Sequence, residues 1–432
     1  MKVNLMKGCL TSGEVDSYFH DVLKKIIPFL TSRMLPFLSF NLMILALSRS
    51  GSSLLADFVY VTSLYSIPVV LFSMPLALIG NFSNESNGLE GFKIFIYGIP
   101  TCIFLSLLSF FSAIFIDLYA THYTVRPVEG LSLYKYCVPM LVINTYLYIY
   151  SEGAINNKVT AKIKSVLSIL SVVLVYFCYF KSDSISVDTL FSIFILIEFF
   201  TLIIFSLMIF KYSKSYFFDL EFKRFFSECV RFLKLGYPLS LGMIGQKLIF
   251  FLLTYRLMGV SDTLVSHLSI VMVVIGFFSI PIASYAQIHS IYISSKSKVT
   301  PVIFNFGLMI IFLFSMLFFI IILIGGDFIF SFFDSKYGSN SILFFISLFF
   351  LFLSTSVVQF IIGHLRSLRD TKIPQITVNV VMFFIFLPMC YLVDLHVDDL
   401  CLVIFMQSAA LFFAAIFLYK RLVSLEGFRV RG

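Results

Sequence analysis

The sequence predicts an all-α polytopic membrane protein: twelve transmembrane helices in two parallel-repeat lobes of six. Three observations predict it. Hydrophobic residues make up 59% of the 432 residues and charged ones 12%, roughly half the charged share of a soluble domain; mean hydropathy is +1.00. Apolar runs long enough to cross a bilayer, about 20 residues each, recur along nearly the whole chain. The basic residues between those runs alternate in density.

The runs fall at roughly 26–47, 54–80, 93–117, 131–151, 163–180, 188–210, 235–257, 263–292, 301–327, 341–362, 374–393 and 400–419. They are predicted helices because backbone polar groups inside a bilayer have no water to bond. Barrel strands would be shorter and would alternate polar with apolar residues. The first 25 residues carry Lys2, Lys7, Glu14, Asp16, Asp21, Lys24 and Lys25. No apolar signal-peptide core precedes a cleavage site, so the first run is expected to remain as a span. The seven cysteines show no C-x-x-C spacing, so neither a disulfide framework nor a zinc site is expected. With 55 phenylalanines and no tryptophan, the 22 tyrosines are left to supply the aromatic belt at the interfaces.

A net charge of +8 could suggest nucleic acid, but its distribution points elsewhere. Of 31 Lys and Arg, 23 fall in the termini and every second connection, 6 in the alternate connections and 2 inside runs. This is a strong positive-inside pattern. It places both termini on the cytoplasmic side, supports an even helix count and leaves no role for nucleic acid; a bacterial inner membrane is the expected location.

The chain also repeats itself. "SMPLA" at Ser73–Ala77 matches "SIPIA" at Ser279–Ala283, and Gly51 matches Gly259. Pro28 matches Pro238, and "GAINNKVTAKI" from Gly153 matches "GHLRSLRDTKI" from Gly363. The offsets are all between 206 and 210. Six helices return the chain to its starting side, so the repeats are parallel, related by an axis along the membrane normal. The expected lobes are residues 1–222 and 223–432, joined by the charged linker Lys211–Lys234.

These segments resemble a known family. "GYPLSLGMIGQ", Gly236–Gln246, is similar to the start of the seventh helix in MATE (multidrug and toxic compound extrusion) exporters. "LRSLRDTKIP" is similar to that family's loop after helix ten, and "SRSGSSLLAD" to its first connection. The chain is identified as a divergent MATE-like member of the MOP flippase superfamily. The resemblance implies two six-helix lobes, alternating access, no enzymatic activity and a Na⁺ or H⁺ gradient as the driving force. It also implies either export of a small organic or toxic compound, or flipping of an anionic lipid-linked oligosaccharide of the O-antigen type. The positions at which the family carries cation-coupling acids fall on Met43 and Gln246 here.

Three ionisable residues lie inside predicted spans: Arg33, Glu198 and Lys247. Each is costly to insert, about 2.5–3.5 kcal/mol at a helix centre. Arg33 and Lys247, on the first helix of each half, are expected either to face a central cavity, favouring an anionic substrate, or to snorkel and pair. Glu198 is either the carrier of a coupling proton or the structural partner of Lys247. Asn41 and Gln246 are candidate substrate contacts or interhelical hydrogen-bonding groups. Pro36, Pro68, Pro75, Pro139, Pro281 and Pro388 are read within spans; Pro36, Pro68, Pro75 and Pro281 are the expected hinges. His267 and His364 are expected at the interfaces. No Walker loop, dinucleotide fingerprint, H-E-x-x-H or nucleophile elbow is present, so neither an enzyme nor a resident cofactor or metal is expected. The remaining partners are lipid and a small or lipid-linked substrate, with the protein acting as a monomer.

Overall fold

A computed structural model describes residues 12–85, 88–123, 127–155, 157–182, 184–213, 222–294, 301–333, 341–368 and 370–429. The predicted runs appear as helices in order. They are α1 (Ser12–Ser50), α2 (Ser52–Ser73), α3 (Gly88–Tyr123), α4 (Cys137–Tyr150), α5 (Asn157–Ser182) and α6 (Val187–Ser213). The second half supplies α7 (Phe222–Met258), α8 (Asp262–Ser294), α9 (Pro301–Phe333) and α10 (Ile342–Ser367). Then come α11 (Lys372–Val381, continued by Met382–Phe386 and Leu387–Leu392) and α12 (Leu400–Arg429). Among the described residues, ten helices are long and apolar enough to cross a membrane, and Phe37–Ser50 of α1 is a shorter apolar stretch. No strand occurs among them.

Local chemistry explains where the helices break. The second span was expected to run through Pro75, but α2 ends at Ser73. Pro75 offers no N–H to the preceding turn, and the chain proceeds through a 3₁₀ turn, Leu76–Leu78, into a short helix, Ile79–Glu85. Pro139 also sits at a beginning rather than an interior, as the third residue of α4. There its missing N–H would be unsatisfied anyway. Pro68 and Pro281 do lie inside α2 and α8. Pro388 opens the last segment of α11, directly after a π-turn at Met382–Phe386.

The same packing pairs occur in both halves. In the first half, α1 packs on α2 and α5, α2 on α4, α3 on α4, α4 on α6, and α5 on α6. In the second, α7 packs on α8 and α11, α8 on α10, α9 on α10, α10 on α12, and α11 on α12. Two glycines show why the sequence repeats where it does. A Cβ on Gly153 would lie 2.7 Å from the Gly80 carbonyl oxygen, and one on Gly363 would lie 2.9 Å from that of Ala286. These are equivalent positions in the two halves, and only glycine lets the helices approach so closely.

The halves meet through α1, α2 and α3 of one and α7, α8 and α9 of the other. On the side assigned to the cytoplasm, Gly236 of α7 faces Pro75, whose backbone a Cβ would strike. At the opposite end Ser48 Oγ donates to the Phe333 carbonyl (2.8 Å) and Arg49 Nε to that of Phe332 (3.0 Å). Gly236→Val is expected to force α2 and α7 apart and destabilise the protein by about 1–3 kcal/mol. A thermal unfolding midpoint equal to wild type would show that the contact is not tight.

Candidate functional site

In the first half, four helices enclose a cavity of about 350 Å³. α1 lines it with Ser39, Phe40 and Met43, and α4 with Asn144, Thr145 and Tyr148. α5 contributes Lys164, and α6 contributes Phe194, Glu198 and Thr201. Glu198 is held by one amide group. Asn144 Nδ2 donates to its carboxylate at 2.6 Å and to its own backbone carbonyl at 2.8 Å. Both Asn144 N–H groups are thereby used, and its Oδ1, buried, has no hydrogen-bond partner. A carboxylate in a span is tolerated only where donors or charges meet it, and this cavity supplies one of each.

The charge is Lys164. Sequence patterning counts Lys158, Lys162 and Lys164 together as loop residues. Instead α5 begins at Asn157, so Lys164 lies two turns, about 10 Å, inside a helix. Its Nζ sits 2.9 Å from the centroid of the Tyr148 ring, a cation–π contact. Tyr148 follows Asn144 by four residues on α4, so ring and amide share one face. Glu152 and Glu198 both act electrostatically on Lys164. Met43, where the resemblance would place an acid, is on the α1 wall of the same cavity. The carboxylate here arrives instead from α6.

A second cavity, about 310 Å³, lies between the halves. α2 lines it with Phe58, Thr62, Ser63 and Ser66, and α7 with Lys247 and Phe250. Phe40 and Phe194 line both cavities, so these two rings form the wall between Glu198 and Lys247. Lys247 and Glu198 therefore line separate cavities, which goes against the alternative in which the two pair. Neither cavity is lined by Asn41, which is buried with an unpartnered Oδ1, or by Gln246, which is exposed. Arg33 and Pro36 fall on α1, and their side chains lie outside the described residues.

His364, three residues from the end of α10, is fully buried, as is His289, a residue that sequence patterning passed over. Tyr18, near the start of α1, places its hydroxyl 2.7 Å from that of Tyr285 and 2.8 Å from His289 Nδ1. His289 Nε2 in turn lies 2.9 Å from His364 Nδ1. With Tyr18 donating to Tyr285, one neutral tautomer satisfies the chain: His289 Nδ1–H donates to Tyr18 and its Nε2 accepts from His364. The available signal was the stripe Tyr285, His289, Tyr292 at spacings of four and three on an otherwise apolar helix. His267 is half-buried.

At the opposite ends of the helices the acids are also engaged. Glu129 N donates to Asp57 at 3.1 Å, and Lys135 Nζ contacts Asp117 at 2.6 Å. The Asp117 carboxylate holds Lys135 above the ordinary lysine range. Among the described residues no cluster of His, Cys, Asp or Glu could hold a metal ion, and none of the six described cysteines is in a disulfide.

No protein-family model matches the sequence, and neither does any curated protein. Solved structures do. A MOP superfamily transporter from Pyrococcus furiosus, described as having a binding pocket of reverse polarity that suggests a different function, aligns at a TM-score of 0.67. It shares 12% identity over 94% of this chain and 96% of its own. A multidrug resistance MATE family transporter of the same superfamily aligns in its inward-facing conformation at 0.65, with 13% identity over 92% and 99% of the chains. In an outward-facing conformation the TM-score is 0.64, with 12% identity over 94% and 96%. Over nearly its whole length, this chain has the fold of MATE-type transporters of the MOP superfamily.

Proposed function

We propose that the protein is a secondary-active exporter that moves a small organic anion out of the cytoplasm by alternating access of two lobes, residues 1–222 and 223–432. Protonation of Glu198 drives the cycle. The observation that carries this reading is the pair of adjoining cavities. One holds a lone carboxylate in a polar cage; the other holds the Lys247 ammonium between the halves. An ion site and a substrate site separated by the Phe40–Phe194 wall can be coupled by movement of that wall. A volume of about 310 Å³ is at the lower end of small-molecule pockets, about 300–1,000 Å³. It suits a small molecule better than the saccharide chain of a lipid-linked oligosaccharide. Pro68 and Pro281, inside the two helices that pack between the halves, are the proposed hinges. The positive-inside pattern supports a multi-pass topology with cytoplasmic termini; the proposed setting is a bacterial inner membrane, with the protein acting as a monomer among its lipids.

The test is uptake of anionic, neutral and cationic fluorescent dyes into inside-out vesicles energised by a pH gradient. Lys247→Ala is expected to raise the apparent KM for anionic dyes at least about tenfold, the effect of roughly 1.4 kcal/mol, and to leave neutral dyes unaffected. Equal losses for all three classes would remove Lys247 from the substrate site. Translocation of a lipid-linked saccharide with no dye uptake would favour the flippase alternative.

A further inference from the structure

The resemblance implies Na⁺ or H⁺ as coupling ion, and the first-half cavity can be tested for its fit to Na⁺. It offers the Glu198 carboxylate, the orphan Asn144 Oδ1 and the hydroxyls of Thr145 and Thr201. Both hydroxyls donate to their own helix, to the carbonyls of Leu141 and Ile197 at 2.7 Å each, and their lone pairs remain open. Carboxylate, amide carbonyl and hydroxyl oxygens are the donor types that hard cations take. Lys164 changes the balance, because its ammonium lines the same cavity, seated on the Tyr148 ring.

We propose that Lys164 supplies, as a tethered ammonium, the positive charge that a bound Na⁺ would bring to this cavity, so that the first half works without Na⁺. A tethered cation needs no capture from solution and carries no translational entropy to lose. It also repels a second cation. Across a few ångströms at the effective dielectric of a protein, one resident unit charge weakens the binding of a second by about two to three orders of magnitude. A proton meets the same charge repulsion, but it bonds covalently to a single carboxylate oxygen and so needs no set of coordinating oxygens. The charged groups that bear on the site are Glu198 of α6, Glu152 beyond the end of α4, and Lys164 itself. Tyr134 and Cys137 are the neutral titratable neighbours of Glu198. The inference rests on reading Glu198 as the coupling carboxylate.

The experiment measures thermal unfolding of the detergent-solubilised full chain in NaCl against choline chloride at equal ionic strength, with ²²Na⁺ binding as a second readout. Wild type and Lys164→Arg are expected to show no Na⁺-specific change. Lys164→Met is expected to gain saturable Na⁺ stabilisation and ²²Na⁺ binding, both absent from the Lys164→Met/Glu198→Gln double variant. Na⁺-specific stabilisation of wild type that Glu198→Gln removes would overturn the proposal, as would a folded Lys164→Met that binds no Na⁺. If Lys164→Met does not fold, the wild-type and Lys164→Arg measurements decide. Loss of the coupling reading itself would appear separately, as pH-driven transport that survives Glu198→Gln.

Discussion

Glu198→Gln is expected to abolish pH-driven dye accumulation in vesicles while leaving energy-independent exchange of dye across the membrane. The amide keeps the shape of the carboxylate and can still accept the Asn144 N–H, so the helices have no reason to separate. What it cannot do is take up and release a proton at physiological pH. The companion variant, Asn144→Leu, separates holding the carboxylate from titrating it. It strips both donated hydrogen bonds at once and leaves Glu198 in a span without its donor. A hydrogen bond to a charged group contributes about 1.5–3 kcal/mol, so a loss of at least that size is expected in equilibrium unfolding. Accumulation against a gradient in Glu198→Gln vesicles would sink the coupling role.

Tyr18→Phe is expected to shift the protein toward a state open to the cytoplasm. Tyr18 comes from the first half, while Tyr285, His289 and His364 come from the second. Through this hydroxyl the hydrogen-bonded chain ties one half to the other. Its loss leaves a buried His289 ring nitrogen without a partner, at a cost of about 1–3 kcal/mol, or about 5- to 150-fold in a two-state equilibrium. Opening toward the cytoplasm would expose that nitrogen to water, so the cost falls on the closed state. Spin labels at Lys158 and Arg366, exposed residues near the start of α5 and the end of α10, should report a longer mean distance in Tyr18→Phe than in wild type. An unchanged distance distribution would show that the chain is a static tie within a rigid body.

The twelve helices were legible because hydrophobic run length is a strong, local signal that the bilayer enforces through the backbone. The parallel repeat was legible because its matches sit where the geometry admits little else: Gly153 and Gly363 occupy close helix–helix approaches that any Cβ would block. Glu198 and Lys247 stood out because isolated charges in apolar runs are expensive.

What the sequence missed depends on which helix faces meet. Lys164 has two lysines just before it and reads as part of a basic loop; only the start of α5 at Asn157 brings it inside. His289 and His364 lie 75 residues apart, and nothing local reveals that they touch each other and Tyr18. Pro75 ends a helix that hydropathy would continue, since apolar residues follow it whether or not the backbone remains α-helical. The sequence alone determined that this chain spans a membrane many times, is duplicated and carries rare buried charges, because each of these follows from composition and spacing. Tertiary structure alone decided that Glu198 shares a cavity with Asn144 and Lys164, that Lys247 faces a different one, and that Tyr18 ties the halves together. Side chains distant in sequence meet only when helices pack, and which charges share a cavity is fixed by that packing.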